Sequence, residues 1–170
     1  SVKEFIVYVN RYNISLLTKV KPSIFETNEY LLNENPTLIE YSVFFGSIQI
    51  FQYIKFNNVE LTPSLWIYAI HGRNPEIIHL LEENHILPPE KSFINCFIES
   101  IKCHHNELAH YFQDNYLDEN EFEQLENNQQ YCLIDYIFKF HNFEFVNDNP
   151  NHHLLFCYLC KHNFTKAVNI

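Results

Sequence analysis

The sequence predicts an all-α solenoid, about five stacked helix-turn-helix repeats behind irregular N-terminal helices, forming one domain over residues 1–170. Three observations carry this expectation. Only two glycines, Gly46 and Gly72, interrupt the 170 residues, too few for a hairpin-rich β architecture. Apolar residues recur at helical spacing. One pattern of residues also returns along the chain at intervals typical of stacked helix pairs.

Residues 1–35 contain two apolar helical stretches, Phe5 to Leu17 and Ile24 to Leu32, read as an N-terminal cap or irregular repeat. The best-defined repeats occupy 36–117. Tyr41-Ser42-Val43 through Ser47-Ile48-Gln49-Ile50-Phe51 to Asn57 returns 27 residues on as Tyr68-Ala69-Ile70 through Asn74 to Asn84. After a further 31 residues it returns as Glu99-Ser100-Ile101, Glu107-Leu108-Ala109 and Asn115. Ser42, Ala69 and Ser100 form a small column, as required where helices cross closely. Ile50, Ile77 and Leu108 form an apolar column, as do Ile54, Leu81 and Phe112; Tyr53, Leu80 and Tyr111 are partly polar.

Asn57, Asn84 and Asn115 close the units, and asparagine tolerates the left-handed conformation that ends helices. Asn74-Pro75-Glu76 is a helix start: Asn caps free amides, Pro fits the first helical position, and Glu meets the positive end of the dipole. Residues 118–130 are acidic and rich in Asn and Gln, as in a long connection. Two weaker copies, Leu133 to Val146 and Leu154 to Ile170, fill residues 131–170. Ile137 and Tyr158 replace the small residue there, so these units are expected to pack differently.

The residue classes are globular, with 46% hydrophobic, 16% aromatic and 19% charged residues. A formal charge of −10 repels phosphate and anionic lipid, and argues against nucleic-acid and membrane partners. The longest apolar run, Leu154 to Cys160, falls far short of the ~18 residues of a membrane span. With Ser1 at the start and no Met, a segment excised from a larger protein is expected, and the stretch ending at Ile170 reads as a helix without a cap. Five cysteines at irregular spacing do not form a disulfide framework. They suit buried thiols in a reducing compartment, so the cytoplasm is expected.

Chemistry-bearing motifs are sparse. Cys157-x-x-Cys160 lies near His162, His152 and His153. A structural zinc site needs four converging ligands and normally shows a second pair at recognisable spacing. Core-like residues surround these cysteines instead, so structural thiols are expected and neither metal nor cofactor is called for. Adjacent residues of Cys103-His104-His105 point different ways on a helix, which does not suit a thiolate–imidazole nucleophile. The Glu82-Glu83 pair and the glutamates from Glu119 to Glu126 read as solvated faces. No catalytic residue is assigned.

Thr62-Pro63-Ser64-Leu65, Ala69, Asn74, Glu76-Ile77-Ile78, Leu80-Leu81 and Asn84 resemble the ankyrin consensus. Gly46 falls where ankyrin repeats place the glycine between their two helices. Together with Leu38-Ile39-Glu40-Tyr41 and Phe44-Phe45-Gly46-Ser47, this wording is similar to the DUF3447-type ankyrin-like family expanded in protists, over roughly Asn35 to Leu117. Asn58, His85 and Tyr116 replace the glycine that usually closes each repeat, so the projecting hairpin fingers are expected to be shortened or absent.

The resemblance implies a non-enzymatic domain that binds another protein on a concave face of first helices and turns. Carried over by position, the partner-binding residues are Phe44 and Phe45, His71 and Gly72, then Lys102 and Cys103, with Lys139 and Phe140 in the weaker copy. Phe44 and Phe45 either anchor a partner or pack under the neighbouring repeat. The expected state is monomeric, with end-to-end association open through apolar end repeats. The alternatives are a structural spacer within a larger protein and a zinc-stabilised module built on Cys157 and Cys160.

Overall fold

The computed structural model describes residues 1–118, 120–121, 133–146 and 159–160. It divides into two compact units, Ser1–Ser92 and Phe93–Ile170. Among the described residues the regular elements are all helices, with no β-strand and one isolated antiparallel bridge between Lys19 and Thr37.

In the first unit, α1 (Val2–Arg11) starts in a capping box. The Ser1 hydroxyl accepts from the Glu4 amide, and Glu4 answers at the chain start. The helix is shorter than the apolar pattern predicts, because Asn13 takes a left-handed φ of 49° and ends it. The next stretch is displaced too. Ile24 and Phe25 lie outside any helix and are exposed, and α2 (Glu29–Glu34) begins only where the Asn28 side chain caps the Tyr30 and Leu31 amides.

Two helix hairpins follow: α3 (Leu38–Phe44) with α4 (Ile48–Phe56), and α5 (Leu65–Gly72) with α6 (Pro75–Glu83). The α3 helix packs along α5, and α1 rests on α4. Ser42 and Ala69, the small pair, are buried, and the Ser42 hydroxyl donates to the Ile39 carbonyl at 2.7 Å. Phe51, Ile54, Ile77 and Leu81 are fully buried, each contributing about 1.5–3 kcal/mol by the transfer of its side chain from water. Trp66 is buried as well, and its ring nitrogen donates to the Ile86 carbonyl at 2.7 Å, which ties the segment after α6 back to α5.

The second unit repeats the hairpin in α7 (Ile94–Lys102) and α8 (Asn106–Tyr116), then in α9 (Leu133–Phe140) with a 3₁₀ turn at Phe143–Val146. The α7 helix packs on both α8 and α9. Ser100, Ile101, Phe112, Ile137 and Phe145 are fully buried.

One turn joins each pair. Gly46, Arg73, His104 and His141 stand at equivalent positions and have φ of 61°, 50°, 55° and 56°. The closing asparagines act otherwise than expected. Asn57 and Asn84 keep negative φ, and Asn58 and His85 after them are the left-handed residues. Asn57, Asn84 and Asn115 instead donate their side-chain amides to the carbonyls of Tyr53, Leu80 and Tyr111, four residues back. For Asn57 and Asn84 this adds a side-chain donor to a carbonyl that already accepts the same residue's backbone amide.

The two glycines of the chain meet each other. A Cβ on Gly72 would lie 2.1 Å from the Val43 carbonyl oxygen and 3.2 Å from the Gly46 amide nitrogen. A Cβ on Gly46 would lie 2.8 Å from the Gly72 carbonyl oxygen. Asn74 closes the contact: its Nδ2 donates to the Gly46 carbonyl at 2.9 Å while its Oδ1 caps the Glu76 amide.

Gly72→Ala is therefore expected to lower stability by at least about 2 kcal/mol through backbone overlap. Arg73→Gly, at an exposed left-handed position, is expected to raise it by about 1 kcal/mol. Urea unfolding of the two variants checks both signs.

Candidate functional site

The residues assigned to partner binding sit at the C-terminal ends of α3, α5 and α7, as the two residues immediately before each left-handed turn residue. Phe44 is buried at 9% exposure and stacks on His71, with ring centroids 5.0 Å apart. Phe45 is the first residue past the helix, at φ −92° and ψ 10°, and its ring is 55% exposed. It is held by Tyr41 at 4.8 Å and Phe44 at 5.2 Å. Tyr30 from α2 completes the cluster, 4.7 Å from His71 and 5.3 Å from Tyr68. Phe44 and Gly72 thus lie within the packing of the first unit, whereas Phe45 projects from it.

In the second unit, Lys102 pairs with Glu99 at 3.0 Å and lies over the Tyr136 ring at 5.3 Å. The Cys103 thiol reaches the same carboxylate at 4.0 Å. Burial first, and the Glu99 charge second, push the Cys103 thiol up to about 12; the same causes act on Cys96. Neither is a ready thiolate at neutral pH. Lys139 is exposed beside the half-buried Phe140. The pair Cys157 and Cys160 cannot be placed as a site: Cys160 is exposed, and Cys157 lies outside the described residues.

The remaining turn residues do structural work. His104 sits with Nε2 2.8 Å from the Phe140 carbonyl oxygen and is its hydrogen-bond partner. Asn142, buried, donates to the Ile101 carbonyl at 3.0 Å and to Asn106 Oδ1 at 2.7 Å. Asn106 in turn donates to Glu144, which faces His110. This joins the turn after α7 to the turn after α9.

A cleft of about 370 Å³ opens in the first unit, lined by Lys19, Tyr30, Glu34, Asn35, Glu40 and Tyr68 among others. Glu40 is fixed at its wall. Its Oε2 accepts from the Thr37 amide and the Thr37 hydroxyl, both at 2.8 Å, and its Oε1 accepts from the Ser64 hydroxyl at 2.6 Å. The Thr62 and Ser64 hydroxyls are 2.8 Å apart, so the start of α5 is tied to the start of α3. The buried Tyr68 phenol is pushed up to about 12, first by burial and then by the charges of Glu40 and Glu34.

None of these cleft residues was singled out as a site residue from the sequence. The Thr37-x-x-Glu40 capping box is readable there, but its second use, as a link to Ser64 and a cleft wall, depends on how α3 meets α5.

Comparison with known proteins finds no matching family model, no similar curated protein and no similar solved structure.

Cys160 is expected to react with iodoacetamide at pH 8 well before Cys96 and Cys103, whose raised values leave them protonated there. Peptide mapping of the partially alkylated native protein reads the order directly.

Proposed function

We propose that the chain is a non-enzymatic protein-interaction module, an ankyrin-type α-solenoid that holds a partner on the face formed by its first helices and the turns after them. The observation that carries this reading is the aromatic strip at the end of α3. Tyr41, Phe45, Phe44, His71 and Tyr30 are in continuous ring contact, buried at Phe44 and open at Phe45. Rings immobilised by their neighbours lose little entropy on binding, and aromatic anchors of this kind dominate protein interfaces.

Supporting it, the turn that presents these side chains recurs with the same left-handed geometry at Gly46, Arg73, His104 and His141. The roles found for Gly46, Asn74 and the Thr62–Ser64 opening also suit the ankyrin resemblance. The formal charge of −10 favours a basic partner.

Phe45→Ala, which removes an exposed ring and leaves the core intact, is expected to weaken capture of the partner from a lysate of the source cell by about tenfold or more. Equal recovery by the wild type and the folded variant would remove this face from consideration.

A further inference from the structure

We propose that the cleft of the first unit is the receptor for a basic side chain of the partner, arginine above all, with Glu40 and Glu34 as counter-charges and Tyr30 and Tyr68 as aromatic walls. The inference rests on the reading of the chain as a protein-interaction module and names the chemistry that module recognises.

Glu40 is the centre of the case. Three donors orient its carboxylate, two on Oε2 and one on Oε1. A carboxylate accepts about four hydrogen bonds, so Oε1 retains one lone pair for a further donor. All three donors are neutral, and among the described residues no basic nitrogen is paired with Glu40 or Glu34. A half-buried carboxylate held rigid and without a cation is a preorganised acceptor. Lys19 lies at the same cleft, but one ammonium does not balance two carboxylates.

The rest of the lining bears on the kind of cation. Tyr30, Tyr68 and Ile67 line the cleft beside the carboxylates. A calcium ion needs six to eight oxygen ligands, and Glu40, with three of its sites filled, offers only one more, which leaves Glu34 as the cleft's other carboxylate. An organic cation needs fewer: a planar guanidinium pairs with a carboxylate and lies against an aromatic face. A volume of about 370 Å³ accommodates such a head group with part of its stem. The Tyr68 phenol is raised first by burial and then by the charges of Glu40 and Glu34.

The test is fluorescence anisotropy of a labelled hexa-arginine peptide, with hexa-lysine and hexa-glutamate peptides beside it, titrated with the full chain and its variants in about 0.1 M salt, where contacts beyond about 10 Å are screened. Saturable binding of the arginine peptide is expected, with Glu40→Gln weakening it about tenfold or more. Glu34→Gln lies outside the capping network, so misfolding cannot explain its effect, an expected weakening of about threefold. Glu60→Gln removes the same charge from an exposed residue that does not line the cleft and is expected to change affinity less than about twofold.

Absence of saturable binding, or equal weakening by Glu60→Gln and Glu40→Gln, overturns the proposal. A partner captured through Phe45 but indifferent to Glu40→Gln also overturns it while leaving the interaction module standing. Arginine-peptide binding that depends on Glu40, without any Phe45-dependent partner, keeps the cleft and removes the aromatic face.

Discussion

The backbone contact between Gly46 and Gly72 is the constraint on which the first unit depends. Val43 presents its carbonyl where the Cβ of any residue but glycine at position 72 would lie, 2.1 Å away. Only with that space empty do the ends of α3 and α5 come together. Their approach stacks Phe44 on His71. At the opposite ends of the same helices, Glu40 meets the Ser64 hydroxyl. The aromatic strip and the acidic cleft are thus two consequences of one helix–helix approach, fixed by backbone contact at one end and by a carboxylate at the other.

Each hairpin solves the same geometric problem with different chemistry. Every turn needs one left-handed residue, and a side chain there costs about 1–2 kcal/mol relative to glycine. Gly46 avoids that cost, and His104 offsets it by bonding the Phe140 carbonyl. The residue after the turn then secures the neighbouring hairpin. Asn74 donates to the Gly46 carbonyl, and Asn142 donates to the Ile101 carbonyl. A side-chain amide suits this task because it can donate across to a carbonyl and still accept, as Asn74 does from Glu76.

This division explains what the sequence disclosed. The columns of buried residues were legible because burial repeats with helical period: Ile54, Leu81 and Phe112 are all fully buried. The Asn74-Pro75-Glu76 start was legible because capping is local. The left-handed residues Arg73, His104 and His141 were not, since arginine does not signal that conformation and histidine, though enriched there, occurs at many other positions of this chain. Helix limits in residues 1–35 were misplaced because hydrophobic spacing continues through Asn13, where the backbone turns left-handed. Gly72 was assigned by its position in the repeat, whereas its contact with Val43 involves a residue 29 positions away (72 − 43) and no side chain at all. The cleft was illegible for a similar reason: Glu40, Ser64 and Tyr68 converge only through the α3–α5 approach.

Adjacent residues at the end of α3 carry different structural demands. Phe44 is the last helical residue and turns into the packing against His71, whereas Phe45 leaves the helix at ψ 10° and carries its ring outward. The requirement for close packing falls on Phe44 and Gly72, and that for the left-handed turn on Gly46. None falls on the outer part of Phe45. A substitution there changes the exposed surface without opening a cavity or straining the turn. The cleft is less free, because Glu40 caps its own helix and holds Ser64 in the same gesture. Its charge is bound to the fold in a way that the exposed ring is not.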